Sequence, residues 1–179
     1  RVLFRSQDGY EPGSTGKVIT VAAALEEKKL TPTTVFTIPY KLKVGSRTYS
    51  DHERHATQRL TTTGLLAVSS NTGAIQVGQS LGKNSLHKYL SDFGIGQNTG
   101  SHLPGESAGI LHPVDQWSDS SLPTFSFGQG YSVTALQATS VFATIANDGV
   151  RMSPTVVEGT TDSTGNFSSN KKAKGVRVI

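Results

Sequence analysis

The sequence predicts a mixed α/β domain weighted toward helix. Several segments carry apolar residues at helical spacing, and only a few short strand-like runs lie between turn residues. The length of 179 residues gives room for one domain and its core. With 35% apolar and 17% charged residues, the composition is that of a globular chain rather than a disordered one. The 19 glycines imply many turns or close approaches of backbone.

Composition also excludes several classes. There is no cysteine, so disulfides, thiol chemistry and thiolate metal sites are ruled out. The sequence shows no signal peptide or spanning segment; the apolar stretch from Val18 to Leu25 is too short to cross a bilayer. The net charge of +4 and pI near 9.4 raise the question of nucleic acid. The basic residues are scattered, however. Lys28 and Lys29 end a helical run, and Lys171, Lys172 and Lys174 sit in a polar tail. No basic stripe is interleaved with aromatics, so no nucleic-acid partner is expected. An anionic polymer outside the cell is equally compatible with the charge.

Taken in order, residues 1–6 (RVLFRS) match one reading frame of a common sequencing adapter and are expected to be non-native. The chain ends on the strand-like GVRVI, so residues 7–179 are expected to be an internal part of a longer protein. Pro12-Gly13 signals a turn. A helix is predicted from Ser14 to Lys28, with Val18, Ala22 and Leu25 on one face, ended by Thr31-Pro32. Residues 35–50 suggest a small surface hairpin around Gly45, and Pro39 argues against a central strand. Residues 58–70 read as a helix with Ser69-Ser70-Asn71 at its end. Further helices are expected over 72–81 and 84–93, the latter stopped at Gly94. Residues 94–124, rich in Gly, Pro and Ser, read as a long ordered loop. Thr134 and Gln137 fit a capping box that opens a helix ending at Asn147-Asp148-Gly149. Residues 160–175 read as a mobile polar excursion.

The chemistry starts at Ser14-Thr15-Gly16-Lys17. A serine hydroxyl becomes a good nucleophile only when a base takes its proton, and a lysine three residues on lies on the same helix face. The helix N-terminus would place N–H groups where negative charge develops in acyl transfer. Such a lysine must be neutral, which burial or positive potential would arrange. On this motif alone the plainer reading is favoured: Ser14 as an N-cap, with Lys17 in solvent. A phosphate-binding loop is excluded, because Glu11 stands where that motif needs Gly and Val18 where it needs Ser or Thr. Ser69-Ser70-Asn71 adds a second hydroxyl that can relay the proton. It also adds an amide able to hold both substrate and the lysine chain.

These segments, with their neighbours, resemble the class B penicillin-binding proteins. YEPGSTGKVITVAAALE resembles the active-site helix of that family, and LLAVSSNTGAIQVGQSLG its second motif. FGIGQNTGSHLPGESAGIL and FGQGYSVTALQATSVFATIANDGVRMSPTVV resemble the segments that follow. The likeness runs from about Gly9 to Val157 and is closest to the monofunctional type that serves cell division and elongation. It implies the α/β penicillin-binding and serine β-lactamase-like transpeptidase fold, seen here mostly as its helical half with the sheet incomplete. It further implies a peptidoglycan D,D-transpeptidase in which Ser14 attacks the D-Ala-D-Ala carbonyl of a stem peptide. Lys17 would be the base, Ser69 the proton shuttle and Asn71 the substrate-positioning residue. β-Lactams would acylate the same Ser14. No metal or cofactor is implied. The parent protein is expected at the extracytoplasmic face of the cell membrane, anchored by a segment outside this chain, with divisome or elongation proteins as partners.

Two departures qualify the resemblance. The K-T-G motif is absent, so the chain by itself is expected to be inactive. Gly16 stands where the family usually has a larger residue. At about 1 kcal/mol against alanine within a helix, it is expected to loosen the packing that orients Lys17. Rival readings are a serine β-lactamase, a D,D-carboxypeptidase or a β-lactam sensor of the same fold, and a non-catalytic peptidoglycan-binding relative. Elsewhere, plainer readings prevail. Asp51, His52, Glu53 and His55 suggest a metal cluster only weakly. Trp117 reads as a packing residue, and Glu106 as a structural carboxylate. Gly128-Gln129-Gly130 reads as backbone passing close to a cleft floor.

Overall fold

The computed structural model describes residues 2–169 and 175–179. After α1 (Val2–Gln7) the chain enters a 3-10 turn over Gly13–Gly16 that runs directly into α2 (Lys17–Glu26). The helix expected from Ser14 therefore opens as a tighter turn, and Ser14 lies within that turn. Ile19, Val21, Ala23 and Ala24 of α2 are buried, which makes this helix the centre of the core. Each such aliphatic side chain contributes about 1.5–3 kcal/mol for the larger residues, and less for alanine.

Strands β1 (Val35–Ile38), β2 (Lys41–Val44) and β3 (Arg47–Ser50) follow. β2 and β3 form the surface hairpin, turning at Gly45 with φ +58°. β1 is not part of it. It pairs antiparallel with β4 (Gln58–Thr61), Val35 opposite Thr61 and Ile38 opposite Gln58. This corrects the sequence reading of 58–70 as one helix. The first part is a strand, and helix begins only at α3 (Thr62–Ala67), where the Thr61 hydroxyl accepts from the Gly64 N–H. Pairing with a distant strand outweighed the local pattern.

Helices α4 (Asn71–Leu81) and α5 (Lys83–Asp92) agree with expectation to within a residue at each end. The long loop does so less completely. It holds a 3-10 turn at Val114–Gln116, and its last part is a short helix, α6 (Ser121–Ser126). α6 packs on α4 so closely that a Cβ at Gly78 would stand 1.9 Å from Ser126 Oγ. Thr20 of α2 donates to the Ser126 carbonyl at 2.9 Å, joining the three helices. Trp117 packs against Phe125, with centroids 4.3 Å apart, while its ring N–H donates to the His112 carbonyl. Glu106 is structural in the sense expected. It accepts from the Thr99 N–H and hydroxyl and from the Ser101 hydroxyl. Burial alone would push its pKa up, but these hydrogen bonds outweigh it and hold the carboxyl below its usual 4.5.

Helix α7 (Ala135–Ala146) carries the full capping box. The Thr134 hydroxyl accepts from the Gln137 N–H, and the Gln137 side chain accepts from the Thr134 N–H. Beyond it, β5 (Val150–Arg151) pairs with β8 (Val176–Arg177), and β6 (Gly159–Thr161) with β7 (Phe167–Ser169). Most of the stretch expected to be an excursion is thus a hairpin, its turn closed by Asp162, which accepts from the Thr164 and Asn166 N–H groups. Residues 170–174, with Lys171, Lys172 and Lys174, lie outside the described residues. Among the described residues all strands are paired in two-stranded sheets, so the sheet component is small and open.

Candidate active site

The four residues singled out from the sequence line one cleft of about 860 Å³ or stand at its floor. Ser14 and Ser69 are exposed at its surface, and Asn71 is half-buried. Lys17 lies beneath them, 1% exposed. Its Nζ sits 3.1 Å from Ser14 Oγ and 3.0 Å from Ser69 Oγ, and it also donates to the Ser69 carbonyl. One amine thus bridges the two hydroxyls. Burial lowers its pKa from 10.5 to about 8; the charge of Asp51 works against this but does not cancel it. A neutral fraction of Lys17 is therefore available near physiological pH.

Local structure explains each placement. The 3-10 turn sets Ser14 and Lys17 one turn apart on one face. Gly13, with φ +56°, donates its N–H to the Gly128 carbonyl at 2.8 Å. A Cβ at Gly128 would stand 1.8 Å from Gly13 O, so only glycine lets these two stretches approach. Ser69 has φ +58°, a conformation serine seldom adopts, and it turns both its carbonyl and hydroxyl oxygens to Lys17. Ser70 caps α4 by accepting from the Gly73 N–H. Asn71 is not joined to Lys17. Its amide donates to the Ser50 carbonyl at the end of β3, 3.0 Å away.

Gly16 does not leave the loose spot expected of it. A Cβ there would stand 2.3 Å from the Tyr131 hydroxyl and 2.9 Å from Gly128 Cα. The ring of Tyr131, 2% exposed, fills the space that a larger residue would take. Its hydroxyl is buried and has no hydrogen-bond partner among the described residues.

Sequence reasoning weighed Asp51 and His55 only as parts of a metal cluster. Among the described residues no group of three or more metal-ligating side chains is so arranged. Instead Asp51 turns inward from the loop after β3. Its Oδ2 accepts from Ser70 Oγ at 2.8 Å, and its Oδ1 accepts from the Thr72 N–H at 2.8 Å. His55 Nε2 lies 3.0 Å from the same Oδ2. The only signal in the sequence was an acid and a histidine four apart, in a stretch without helical pattern. Glu11 was also missed; it accepts from the Gly130 N–H at 2.8 Å and ties the Ser14 turn to the opposite wall.

Comparison with known proteins gives this geometry a context. A family model described as the penicillin binding protein transpeptidase domain matches residues 3–179. Penicillin-binding protein PbpB of Mycolicibacterium smegmatis is 40% identical over 170 residues, covering 95% of this chain and 26% of the relative. Peptidoglycan D,D-transpeptidase FtsI of Escherichia coli is 38% identical over 144 residues, covering 80% of this chain and 24% of the relative. The chain thus spans about a quarter of the length of these curated relatives. Among solved structures, penicillin binding protein 3 from Mycobacterium tuberculosis, complexed with aztreonam, superposes with a TM-score of 0.95 at 36% identity. That match covers 98% of this chain and 39% of the other. The ampicillin complex of the same protein gives a TM-score of 0.96.

Proposed function

The chain belongs to the penicillin-binding protein transpeptidase-domain family and has its helix-rich α/β fold, and from that premise we propose that it carries the S-x-x-K and S-x-N part of a longer peptidoglycan D,D-transpeptidase. The observation that carries this reading is the position of Lys17 Nζ, within hydrogen-bond reach of both Ser14 Oγ and Ser69 Oγ. Ser14 is the nucleophile. Neutral Lys17 takes its proton as Oγ attacks the penultimate D-Ala carbonyl of a D-Ala-D-Ala stem peptide. The tetrahedral intermediate collapses to an ester on Ser14. Ser69 passes the proton to the departing amine, and terminal D-Ala leaves. The amine of a second stem peptide then attacks the ester, forms the cross-link and frees Ser14. Asn71, held by Ser50, lies at the cleft wall where a substrate amide would run.

β-Lactams would acylate the same Ser14, with the ring amide opening in place of the release of D-Ala, and the superposable protein crystallised with aztreonam and ampicillin supports that. Among the described residues no helix is long and apolar enough to cross a membrane, and attachment to the extracytoplasmic face would come from a segment elsewhere in the longer protein. The K-T-G strand that binds the substrate carboxylate would also come from there.

The test is to incubate the full-length protein carrying this chain with a fluorescent penicillin. A covalent adduct is expected, and Ser14→Ala should abolish it. No adduct, or one that survives the substitution, would overturn the assignment. Rapid release of the label would identify a β-lactamase instead.

A further inference from the structure

Both ring nitrogens of His55 face oxygen acceptors. Nε2 lies 3.0 Å from Asp51 Oδ2, and Nδ1 lies 2.7 Å from the Ala56 carbonyl. A neutral imidazole has one N–H, so its other nitrogen would turn a lone pair toward an oxygen. Only the imidazolium donates to both. The pocket is thus shaped for a charged ring. What that ring holds is Asp51, whose two oxygens grip the turn that opens α4 through Ser70 Oγ and the Thr72 N–H. Ser69, the residue before Ser70, presents its carbonyl and hydroxyl to Lys17. A short relay of contacts therefore runs from His55 through Asp51 to the residue that shares Lys17 with Ser14.

We propose that charged His55 is a positioning residue for acylation, holding Asp51 against the Ser70–Thr72 turn and so fixing how Ser69 meets Lys17. This rests on the transpeptidase reading above. The charge acts in the same direction as the geometry. Asp51 raises the pKa of Lys17. A cation beside Asp51 offsets that field and favours the neutral lysine that acylation needs.

The surroundings of His55 bear this out in kind. Asp51 is the charged side chain in contact with it. The Tyr40 ring stands edge-on at 5.9 Å, and Lys41 Nζ lies 5.9 Å from that ring's centroid. His52, Glu53 and Arg54 are exposed on the same loop. The Ala56 carbonyl, and then Asp51, hold the His55 pKa above its ordinary 6.5. The sign follows. The charged contacts are fully present below about pH 6.5 and are lost as pH rises through the elevated value.

The experiment measures the rate constant of penicillin acylation in the full-length protein from about pH 5.5 to about pH 9. Native protein is compared with His55→Gln, Asp51→Asn and the double variant. Glutamine can donate one N–H to Asp51 but does not titrate. The native rate should exceed that of His55→Gln by about fivefold at the acid end, with the ratio approaching unity at the alkaline end. In the Asp51→Asn background, His55→Gln should change the rate by less than about twofold. A ratio constant with pH, or an undiminished effect without Asp51, would overturn the proposal. NMR titration of the native imidazole needs no variant. A His55 pKa at or below the ordinary value would overturn it too. Native protein that labels while the ratio stays flat sinks this proposal alone, whereas native protein that takes no label sinks the transpeptidase reading with it.

Discussion

Ser14 and Ser69 stand on either side of the same lysine and are held there by different means. On the Ser14 side the constraint is packing. Gly13 and Gly128 touch backbone to backbone, and Gly16 sits against Tyr131 and Gly128 with no room for a methyl. On the Ser69 side it is polar. Asp51 gathers Ser70, Thr72 and His55, and Ser69, next to Ser70, has a left-handed backbone. Packing forces are short-ranged and indifferent to pH, so the first wall should respond to a single added carbon and to little else. Hydrogen bonds to a carboxylate depend on charge, so the second should respond to protonation and to the loss of one partner.

Lys17, which both walls share, gives the largest expected effect. Lys17→Ala should lower the acylation rate constant by roughly 10²- to 10⁴-fold, read with fluorescent penicillin in the full-length protein. In the native protein that rate should rise with pH through about 8, as Lys17 loses its proton. Asp51→Asn sharpens the comparison. Removing the carboxylate removes the charge that holds the lysine pKa up, so the rise should move to lower pH while the plateau falls with the loosened turn. A plateau that falls with no shift would show that Asp51 acts through geometry alone.

The packed wall should break next. Gly16→Ala should cost about 1–3 kcal/mol in a denaturant melt, since Gly128 is backbone and can yield only by moving the segment it belongs to. Its pH profile for acylation should keep the native shape. A shifted midpoint there would mean that the two walls are coupled through Lys17 more tightly than their separate contacts suggest.

The sequence revealed these walls unequally, for a physical reason. The Thr134–Gln137 capping box and the Ser14–Lys17 spacing were legible because both partners lie within one helical turn. The strand at 58–61 was misread because its hydrogen bonds go to 35–38, a pairing no local window contains. α6 was hidden in a stretch whose Gly, Pro and Ser content reads as loop, and its position depends on the Gly78 notch in α4. Asp51 looked like a weak metal ligand because its true partners, Ser70 and Thr72, come later in the chain. Gly16 looked like a defect because Tyr131, which fills the space, lies far away in sequence. The ends of α4, α5 and α7 could be read locally, but the residues that lock one segment against another could not.

Tyr131 offers the subtlest test of the packed wall. Its ring fills the space beside Gly16, but its hydroxyl, buried without a partner among the described residues, contributes only contact there. Burial pushes the phenol pKa up, so the group stays neutral throughout the working range. Tyr131→Phe should keep the ring and remove an unsatisfied oxygen. The expected result is a stability unchanged or raised by up to about 1–2 kcal/mol, with acylation unaltered. The same change should relieve part of the Gly16→Ala clash, because the nearest atom to the new Cβ is that oxygen. The double variant should therefore melt closer to the native protein than Gly16→Ala alone, leaving only the approach to Gly128 Cα at 2.9 Å to be relaxed. If Tyr131→Phe instead destabilises the fold by more than about 1 kcal/mol, the hydroxyl has a partner, and the wall is held by a hydrogen bond rather than by shape.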